Sequence, residues 1–217
     1  MPLSDAQIER YSRQIVVPGF GGKAQQRLRA AELVVIGQYD ELVMPLRYLV
    51  GAGVGHIHVD SGSVGARAGE LVEQTGALNP DVSIDIGASA EAALVLALVC
   101  DEASRDSLAA RKSDGTFVIA RLDAPAMIAI IPLRPPCPAC SDAKLLRPFG
   151  RRVAESRFIA MLAVTEALKL AAGVNDSQTG RVVEFHGYEA ESRALGISTA
   201  GHCSSKPRPR PGSGRER

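Results

Sequence analysis

Residues 33–60, LVVIGQYDELVMPLRYLVGAGVGHIHVD, decide the fold of this chain. An apolar run at 33–36 and a second run at 56–60 flank a segment of helical spacing, which is the pattern of two parallel strands joined by a helix. In such units a glycine-rich turn after the first strand presents backbone amides to a phosphate group. Here Gly37 is followed by bulky or acidic residues, QYDE at 38–41. The sequence therefore has the strand-turn-helix pattern of a phosphate-binding site but lacks the glycines that usually line the turn.

The connecting helix is predicted at 42–50, where apolar residues recur on one side, namely Leu42, Leu46, Leu49 and Val50. Proline has no amide hydrogen and fits only the first turn of a helix without breaking a hydrogen bond. Because Pro45 lies inside this segment, we expect the helix to begin late.

The rest of the chain alternates strands and helices. Short apolar runs predict strands at 32–36, 56–60, 82–86, 94–100, 116–122, 126–133 and, last, 181–187. Helices are predicted at 5–14, 42–50, 66–78, 89–93, 102–111 and 153–172. This alternation predicts an α/β fold with a doubly wound, mostly parallel sheet and helices on both faces.

The length of 217 residues and the apolar content of 46% favour a single domain. We divide the chain into an N-terminal helical arm at 1–30, a domain at 31–203 and a basic tail at 204–217. The tail carries five Lys or Arg residues and one Glu, which leaves 20 basic and 23 acidic residues elsewhere. Its Pro, Arg, Gly and Ser residues cannot bury a core, so we expect it to be disordered.

A formal net charge of +1 argues against nucleic acid and membrane surfaces as partners. No charged segment followed by an apolar run opens the chain, and the longest uncharged apolar runs, such as 92–100, are shorter than a membrane span. We therefore expect a cytoplasmic protein. In that compartment Cys137 and Cys140, in PPCPACS, are expected to bind a metal or to stay reduced.

Five segments, taken in order, resemble the ThiF/MoeB/HesA family: ERYSRQIVVPGFGGKAQQRLRAAELVVIG, YLVGAGVGHIHVD, ALNP, PPCPAC and MLAVTEALKLAAG. The resemblance covers residues 5–203, and the ordered series is more specific than any single motif. The family comprises bacterial relatives of ubiquitin-activating enzymes, which adenylate the C-terminal glycine of a small ubiquitin-like sulfur carrier. The resemblance implies a Rossmann-like fold, a dimer, ATP-Mg as co-substrate and a structural zinc held by two CxxC pairs.

The turn after the first strand departs from the family's GxGGLG pattern. Aligned without a gap, GQYDEL keeps Gly37 and places Tyr39, Asp40 and Leu42 where the later glycines stand. Side chains obstruct a turn that needs close backbone approach, and carboxylates repel phosphate. Alternatively, Asp40 or Glu41 caps the helix, which also leaves no anion site. Both interpretations make ATP-Mg binding doubtful.

Three charged residues take positions that the family uses for its nucleotide. Asp60 stands at the position of the ribose-binding acid, Arg67 at that of a phosphate-contacting lysine, and Asp101 at that of the magnesium-binding acid. Their neighbours differ, since Gly62 replaces a second acid and Glu102 replaces an asparagine, and arginine is not equivalent to lysine. The resemblance implies a vestigial nucleotide site without a catalytic residue, formed by Gly37, Asp40, Asp60, Arg67 and Asp101.

The family's zinc pattern is incomplete in this chain. Cys137 and Cys140 form one chelating CxxC, and AGHCSSK near the C-terminus offers Cys203 and His202 but no fourth cysteine. Structural zinc held by these four residues and a reduced, metal-free cysteine pair both remain open.

Two histidines, His56 and His58, alternate along the second predicted strand and so share one face. Such a pair is compatible with metal binding. Because no acid accompanies the two histidines in the local pattern, a structural role is favoured.

The segment RYSRQ at 10–14 matches the arm with which members of the family reach across their dimer. The resemblance implies that its second arginine, Arg13, contacts the ATP phosphates bound by the other subunit. We therefore predict a homodimer, or a heterodimer with an intact homologue, in which Arg13 acts in trans. A surface ion pair or simple packing of the arm is the alternative.

Together these observations support the hypothesis of a non-catalytic partner or scaffold, a pseudoenzyme, in the activation of a ubiquitin-like or sulfur-carrier protein. Two alternatives stay open. One is an active ATP-dependent adenylyltransferase for such a carrier or a peptide, with an unusual ATP loop. The other is a nucleotide sensor that uses the same crevice.

Overall fold

The computed structural model describes residues 2–87, 92–111, 115–123, 126–131, 156–174, 181–186 and 191–196. Within these residues the strands are β1 Glu32–Ile36, β2 His56–Asp60, β3 Ser83–Gly87, β4 Leu94–Val99, β5 Thr116–Arg121, β6 Ala126–Ile131, β7 Arg181–His186 and β8 Glu191–Gly196. They form one sheet in the order β3-β2-β1-β4-β5-β6-β7-β8. Neighbours from β3 to β5 are parallel, and those from β5 to β8 are antiparallel.

The helices of the described residues are α1 Asp5–Arg10, α2 Ser12–Ile15, α3 Gly21–Ala30, α4 Tyr39–Ala52, α5 Ser61–Val64, α6 Ala68–Gly76, α7 Glu102–Ala109 and α8 Ser156–Ala172. A single 3-10 turn, Gly65–Arg67, joins α5 to α6. The predicted α/β class with a mostly parallel sheet is confirmed.

The main core lies between the sheet and helices α3, α4, α6 and α8. The predicted apolar face of α4 is fully buried there, through Leu42, Leu46, Leu49 and Val50. All six residues of β4 are buried, as expected for a central parallel strand. Each fully buried Leu or Val side chain contributes about 1.5–3 kcal/mol through the hydrophobic effect, so this layer dominates the stability of the fold.

A second apolar cluster lies on the opposite face of the sheet. It includes Val34 and Ile36 of β1, Val95 of β4 and Phe117 of β5, with Leu108 of α7 packed among them. Because strand residues alternate between faces, Leu33 and Val35 belong to the main core instead. Helices therefore cover both faces, as predicted.

The start of α4 differs from the prediction. The helix begins at Tyr39, and Pro45 lies in its interior rather than in its first turn. An interior proline costs a helix about 3 kcal/mol through a lost hydrogen bond and a steric clash. Pro45 is buried, and burial of the apolar face that surrounds it outweighs this cost.

Two further differences concern the ends of predicted elements. The strand at 181–187 is not the last, because β8 pairs with β7. The sequence of β8, ESRALG, has no β-branched residue and no apolar run, so periodicity did not indicate it. The helix predicted at 89–93 lies mostly outside the described residues, and so does the tail at 204–217.

None of the helices in the described part of the chain combines the length and the apolar character needed to cross a membrane.

Candidate functional site: the crevice between β1 and β4

The candidate site lies where the loops after β1 and β4 meet. These two strands are neighbours, with β2 and β3 on one side and β5 on the other. The chain therefore leaves β1 and β4 in opposite directions, which opens a crevice at their carboxyl ends. Ligands of open α/β sheets bind at such a switch point.

Gly37 opens the loop after β1. A Cβ atom at this position would lie 3.2 Å from Leu42 Cδ2 and 3.2 Å from Leu98 Cβ, so glycine allows α4 to pack closely on β4. Its amide donates a hydrogen bond to Ser63 Oγ over 3.1 Å. The retained glycine thus serves helix packing, and its amide has a partner inside the chain.

Gln38 spans the crevice. It occupies the N-cap position of α4 but makes no capping hydrogen bond with its side chain. Its Nε2 instead donates to Oδ2 of Asp101, on the loop after β4. A side-chain hydrogen bond therefore joins the two loops across the switch point.

Asp101 has a second function as the N-cap of α7. Its Oδ1 accepts hydrogen bonds from the Ser104 amide over 2.9 Å and from Ser104 Oγ over 2.6 Å. Ser104 Oγ in turn accepts from the Asp101 amide, which completes a reciprocal capping box. Both oxygens of this carboxylate are engaged by groups of the same chain.

Tyr39 and Arg67 form a compact stack at the start of α4. The guanidinium carbon of Arg67 lies 3.4 Å from the centre of the Tyr39 ring, a cation-π contact. Arg67 Nε donates to Glu70 over 3.0 Å, and the Tyr39 hydroxyl donates to Glu70 over 2.8 Å. Tyr39 thus fills space that a glycine would leave open.

The charges of this stack reinforce one another. Hydrogen bonding to Glu70 raises the pKa of Arg67, and hydrogen bonding to Arg67 lowers the pKa of Glu70. Burial and then hydrogen bonding to Glu70 raise the pKa of Tyr39. Asp40 is 80% exposed and faces Arg67, with 3.6 Å between Oδ1 and Nη1. Its carboxylate therefore points to the arginine side chain, whereas Gln38 holds the cap position.

Asp60, at the end of β2, is buried and fully engaged. Its Oδ2 accepts from the Ser63 amide over 2.9 Å, which makes it the N-cap of α5. Its Oδ1 lies 2.6 Å from Nη2 of Arg111, and both side chains are less than a tenth exposed. Ser63 Oγ also donates to the Asp60 carbonyl over 3.1 Å, so the same serine connects Asp60 to Gly37.

The structure thus gathers the five predicted residues in two groups. Asp40 and Arg67 lie beside Tyr39, and Asp60 connects to Gly37 through Ser63. Asp101 joins them only through Gln38. In chemical terms the crevice presents acidic side chains that are already paired within the chain.

Sequence reasoning missed the residues that occupy the crevice from within. Gln38, Ser63 and Arg111 are ordinary polar residues in the sequence, and only the fold shows that they meet Asp101, Gly37 and Asp60. Another pair at the same end of the sheet is easier to recognise from the sequence. An arginine in the apolar run TFVIARL, Arg121, forms a buried ion pair with Asp123 over 2.7 Å.

Comparisons with known proteins give relatives of one kind. A 69-residue segment is 42% identical to the vegetative HesA protein of Trichormus variabilis, covering 32% of this chain and 24% of that protein. A 59-residue segment is 41% identical to the sulfur carrier protein adenylyltransferase of Thermus thermophilus, covering 27% and 22%. An alignment over 241 positions is 27% identical to the adenylyltransferase and sulfurtransferase MOCS3 of Bos taurus, covering 89% and 51%. These relatives support the predicted resemblance to the ThiF/MoeB/HesA family.

The chain spans less than two thirds of the length of each of these relatives. No protein-family model matches it. Among solved structures, Escherichia coli MccB with ATP superposes with a TM-score of 0.63 at 15% identity, covering 90% of this chain and 73% of that one. PaaA superposes with a TM-score of 0.60 at 14% identity, covering 90% and 75%. At these identities the likeness shows the shared Rossmann-like fold alone.

Tyr11 anchors the first two helices of the predicted N-terminal segment. These residues, 5–15, are called the arm from here on. The ring is buried, and its hydroxyl donates to Asp81 Oδ2 over 3.0 Å and accepts from Asn79 Nδ2 over 3.0 Å. Gly53 has a φ of 86°, and a Cβ atom there would lie 2.6 Å from the Tyr11 hydroxyl. The two family segments ERYSRQ and ALNP thus meet at this tyrosine.

Arg13 lies two residues beyond the anchor, in α2. It is exposed, and within the described residues it makes no ion pair or hydrogen bond. The structure therefore places it on the surface of the arm. Its predicted role in trans stays a prediction.

The predicted zinc ligands Cys137, Cys140, His202 and Cys203 lie outside the described residues.

Proposed function

We propose that this protein is a ThiF/MoeB/HesA-like, non-catalytic partner in the activation of a ubiquitin-like or sulfur-carrier protein. The observation that carries the proposal is the hydrogen bond from Gln38 to Asp101, which closes the crevice between β1 and β4 from within. The names of the relatives support a role in carrier-protein activation, because two of them are named as adenylyltransferases and one of these is named for a sulfur carrier protein.

Three features of the crevice support the proposal that it does not bind ATP-Mg. A phosphate at the turn would need free amides, but the Gly37 amide already donates to Ser63. A magnesium ion would need the Asp101 carboxylate, but both of its oxygens accept hydrogen bonds within the chain. A phosphate 4 Å from Asp40 would meet a repulsion of about 4 kcal/mol at an effective dielectric constant of about 20.

Calorimetric titration of the full chain with ATP-Mg tests this proposal directly. We expect no measurable heat at ATP concentrations that saturate the Thermus thermophilus sulfur carrier protein adenylyltransferase, which serves as the positive control. ATP-pyrophosphate exchange, measured alone and with added carrier protein, is expected to stay at background. Micromolar ATP affinity, or exchange above background, would overturn the proposal.

An active adenylyltransferase is the second candidate. It is favoured by the names of the relatives and by the position of Asp60, Arg67 and Asp101 around one crevice. This candidate requires Gln38 to release Asp101 when nucleotide binds. It therefore predicts that Gln38→Ala raises ATP affinity, whereas a non-catalytic partner shows no ATP binding in either form.

We also propose that the chain dimerises, with itself or with an intact homologue, and that in the complex with an intact homologue Arg13 serves the nucleotide site of that subunit. The ordered arm and the exposed guanidinium support this role. A guanidinium stabilises charge that develops on a transferred phosphate. Arg13→Ala should leave the protein folded and dimeric while lowering the adenylation rate of the partner. Arg47→Ala, another exposed arginine, is the matched control. An unchanged rate, or a monomer that binds no homologue, would contradict the proposal.

A structural zinc bound by Cys137, Cys140, Cys203 and His202 is part of the same proposal. Elemental analysis should find zinc in protein purified without added metal, and Cys137→Ser should remove it and lower the melting temperature. A stable wild-type protein that contains no zinc would contradict this part of the proposal and favour the reduced cysteine pair.

A further inference from the structure

Three potential metal ligands converge on one face of the sheet, on β2 and β3. His56 and His58 alternate along β2, so both side chains leave the same face of that strand. Asp85 lies directly opposite His58 in the parallel pairing of β2 with β3. The acid that the linear sequence lacked beside the histidines is therefore supplied by the neighbouring strand.

The ligand atoms of the three side chains all lie within 4.8 Å of one another. Asp85 Oδ2 is 2.7 Å from His56 Nε2 and 4.0 Å from His58 Nδ1. The two imidazole rings are 4.1 Å apart between centroids. In tetrahedral zinc sites with bonds of about 2.0–2.1 Å, neighbouring ligand atoms are separated by about 3.3 Å. The two observed separations lie on either side of that value, so small rotations of the side chains would complete the geometry.

The backbone holds these residues rigidly, because β2 is paired on both sides, with β1 and with β3. Ligands on strands are placed more precisely than ligands on loops. Asp85 is 63% exposed, and His56 is 31% exposed, so the point where the three side chains meet is open to solvent. Water can therefore reach the remaining coordination position.

We propose that His56, His58 and Asp85 form a binding site for a divalent transition-metal ion, with zinc as the best match. Two imidazole nitrogens and one carboxylate suit zinc, which accepts nitrogen and oxygen ligands in a four-coordinate shell completed by water. Magnesium and calcium are disfavoured because they prefer oxygen ligands. The three ligands include none of the cysteines and none of the predicted nucleotide-site residues.

The test uses the full chain, stripped with a chelator and titrated with Zn²⁺ and with Co²⁺ by calorimetry and visible spectroscopy. We expect a cobalt spectrum with a component of nitrogen and oxygen ligation, separate from any thiolate charge-transfer band that the cysteines give. His58→Asn should weaken this site by at least about 100-fold, because even loss of an outer-shell partner costs 10–100-fold. Asp85→Asn should weaken it in the same direction.

Two control variants test whether the metal binds at these three residues and not elsewhere on the chain. Asp106→Asn removes a similarly exposed carboxylate, 69% exposed, on α7 and should leave metal affinity unchanged. Cys137→Ser with Cys140→Ser should leave the nitrogen and oxygen spectrum in place. The proposal fails if wild type shows no such spectrum, or if His58→Asn and Asp85→Asn, still folded by circular dichroism, bind metal as wild type does.

Discussion

Two charged residues of the crevice, Asp60 and Asp101, and one of the N-terminal arm, Arg13, differ in whether they are paired within the chain. In the crevice, Asp60 and Asp101 are bonded to groups of the same chain, and Gln38 joins the two loops. On the arm, Tyr11 is held firmly, whereas Arg13 is left exposed two residues later. Internal pairing stabilises a fold, whereas an exposed charge on an ordered element is available to another molecule. The difference supports a role for Arg13 in contacts with another molecule.

The largest loss of stability is expected from a variant that breaks the buried ion pair beside the crevice. Arg111→Ala leaves the Asp60 carboxylate buried without its ion-pair partner and should lower the free energy of unfolding by about 3–5 kcal/mol, as for other broken buried pairs. Urea denaturation measures this change. Asp106→Ala, which removes the exposed carboxylate that pairs with Arg105 on α7, should cost no more than about 1 kcal/mol. Equal losses in the free energy of unfolding for the two variants would show that the buried ion pair stabilises the fold no more than the exposed one.

The second largest loss of stability is expected from a variant that removes the hydrogen bonds anchoring the arm. Tyr11→Phe removes a hydroxyl that bonds both Asp81 and Asn79, and it should lower the free energy of unfolding by about 1–3 kcal/mol. Hydrogen exchange of the amides at 5–15 should accelerate as the arm detaches. Tyr48→Phe serves as the matched control because Tyr48 is 54% exposed. If exchange in the arm is unchanged, the hydroxyl does not hold it.

A smaller effect is expected on acidification. Burial raises the pKa of Asp81, but hydrogen bonds from Gln7 and Tyr11 and the charge of Arg10 outweigh burial, so its pKa lies below the ordinary value. A lowered pKa in the folded protein means that Asp81 stabilises the docked arm above the unfolded-state pKa of about 4. This contribution is lost as the pH falls through the lower value of the folded state. Arm-specific hydrogen exchange should therefore rise below about pH 4, and Asp81→Asn should abolish that dependence. An unaltered acid profile in the variant would assign the effect to other groups.

The smallest effect concerns the exposed edge of the crevice. Asp40→Ala removes a carboxylate that is 80% exposed and 3.6 Å from Arg67, so the free energy of unfolding should change by less than about 1 kcal/mol. Arg67 keeps Glu70 and the Tyr39 ring as partners. A large loss of stability would show that Asp40 carries weight within the crevice despite its exposure.

Much of the fold followed from the sequence, because apolar runs at 33–36 and 94–100 and the leucine face of α4 depend on burial alone. The start of α4 did not follow, since a local rule about Pro45 was outweighed by packing of the whole helix. For the site, the positions of Asp60 and Asp101 could be named in advance through the family resemblance. Their partners could not, because Arg111 is 51 residues distant from Asp60 and Gln38 is 63 residues from Asp101.

Ordering of the arm within the chain would also affect how fast and how tightly any molecule that contacts the arm associates. A disordered segment loses conformational entropy when it binds, about 1–2 kcal/mol per residue for the backbone alone. The Tyr11 anchor fixes residues 5–15 during folding, so a molecule that meets Arg13 encounters a preorganised contact. Weak complexes formed through this arm would thus form without a slow ordering step, and their lifetime would depend on the contacts themselves.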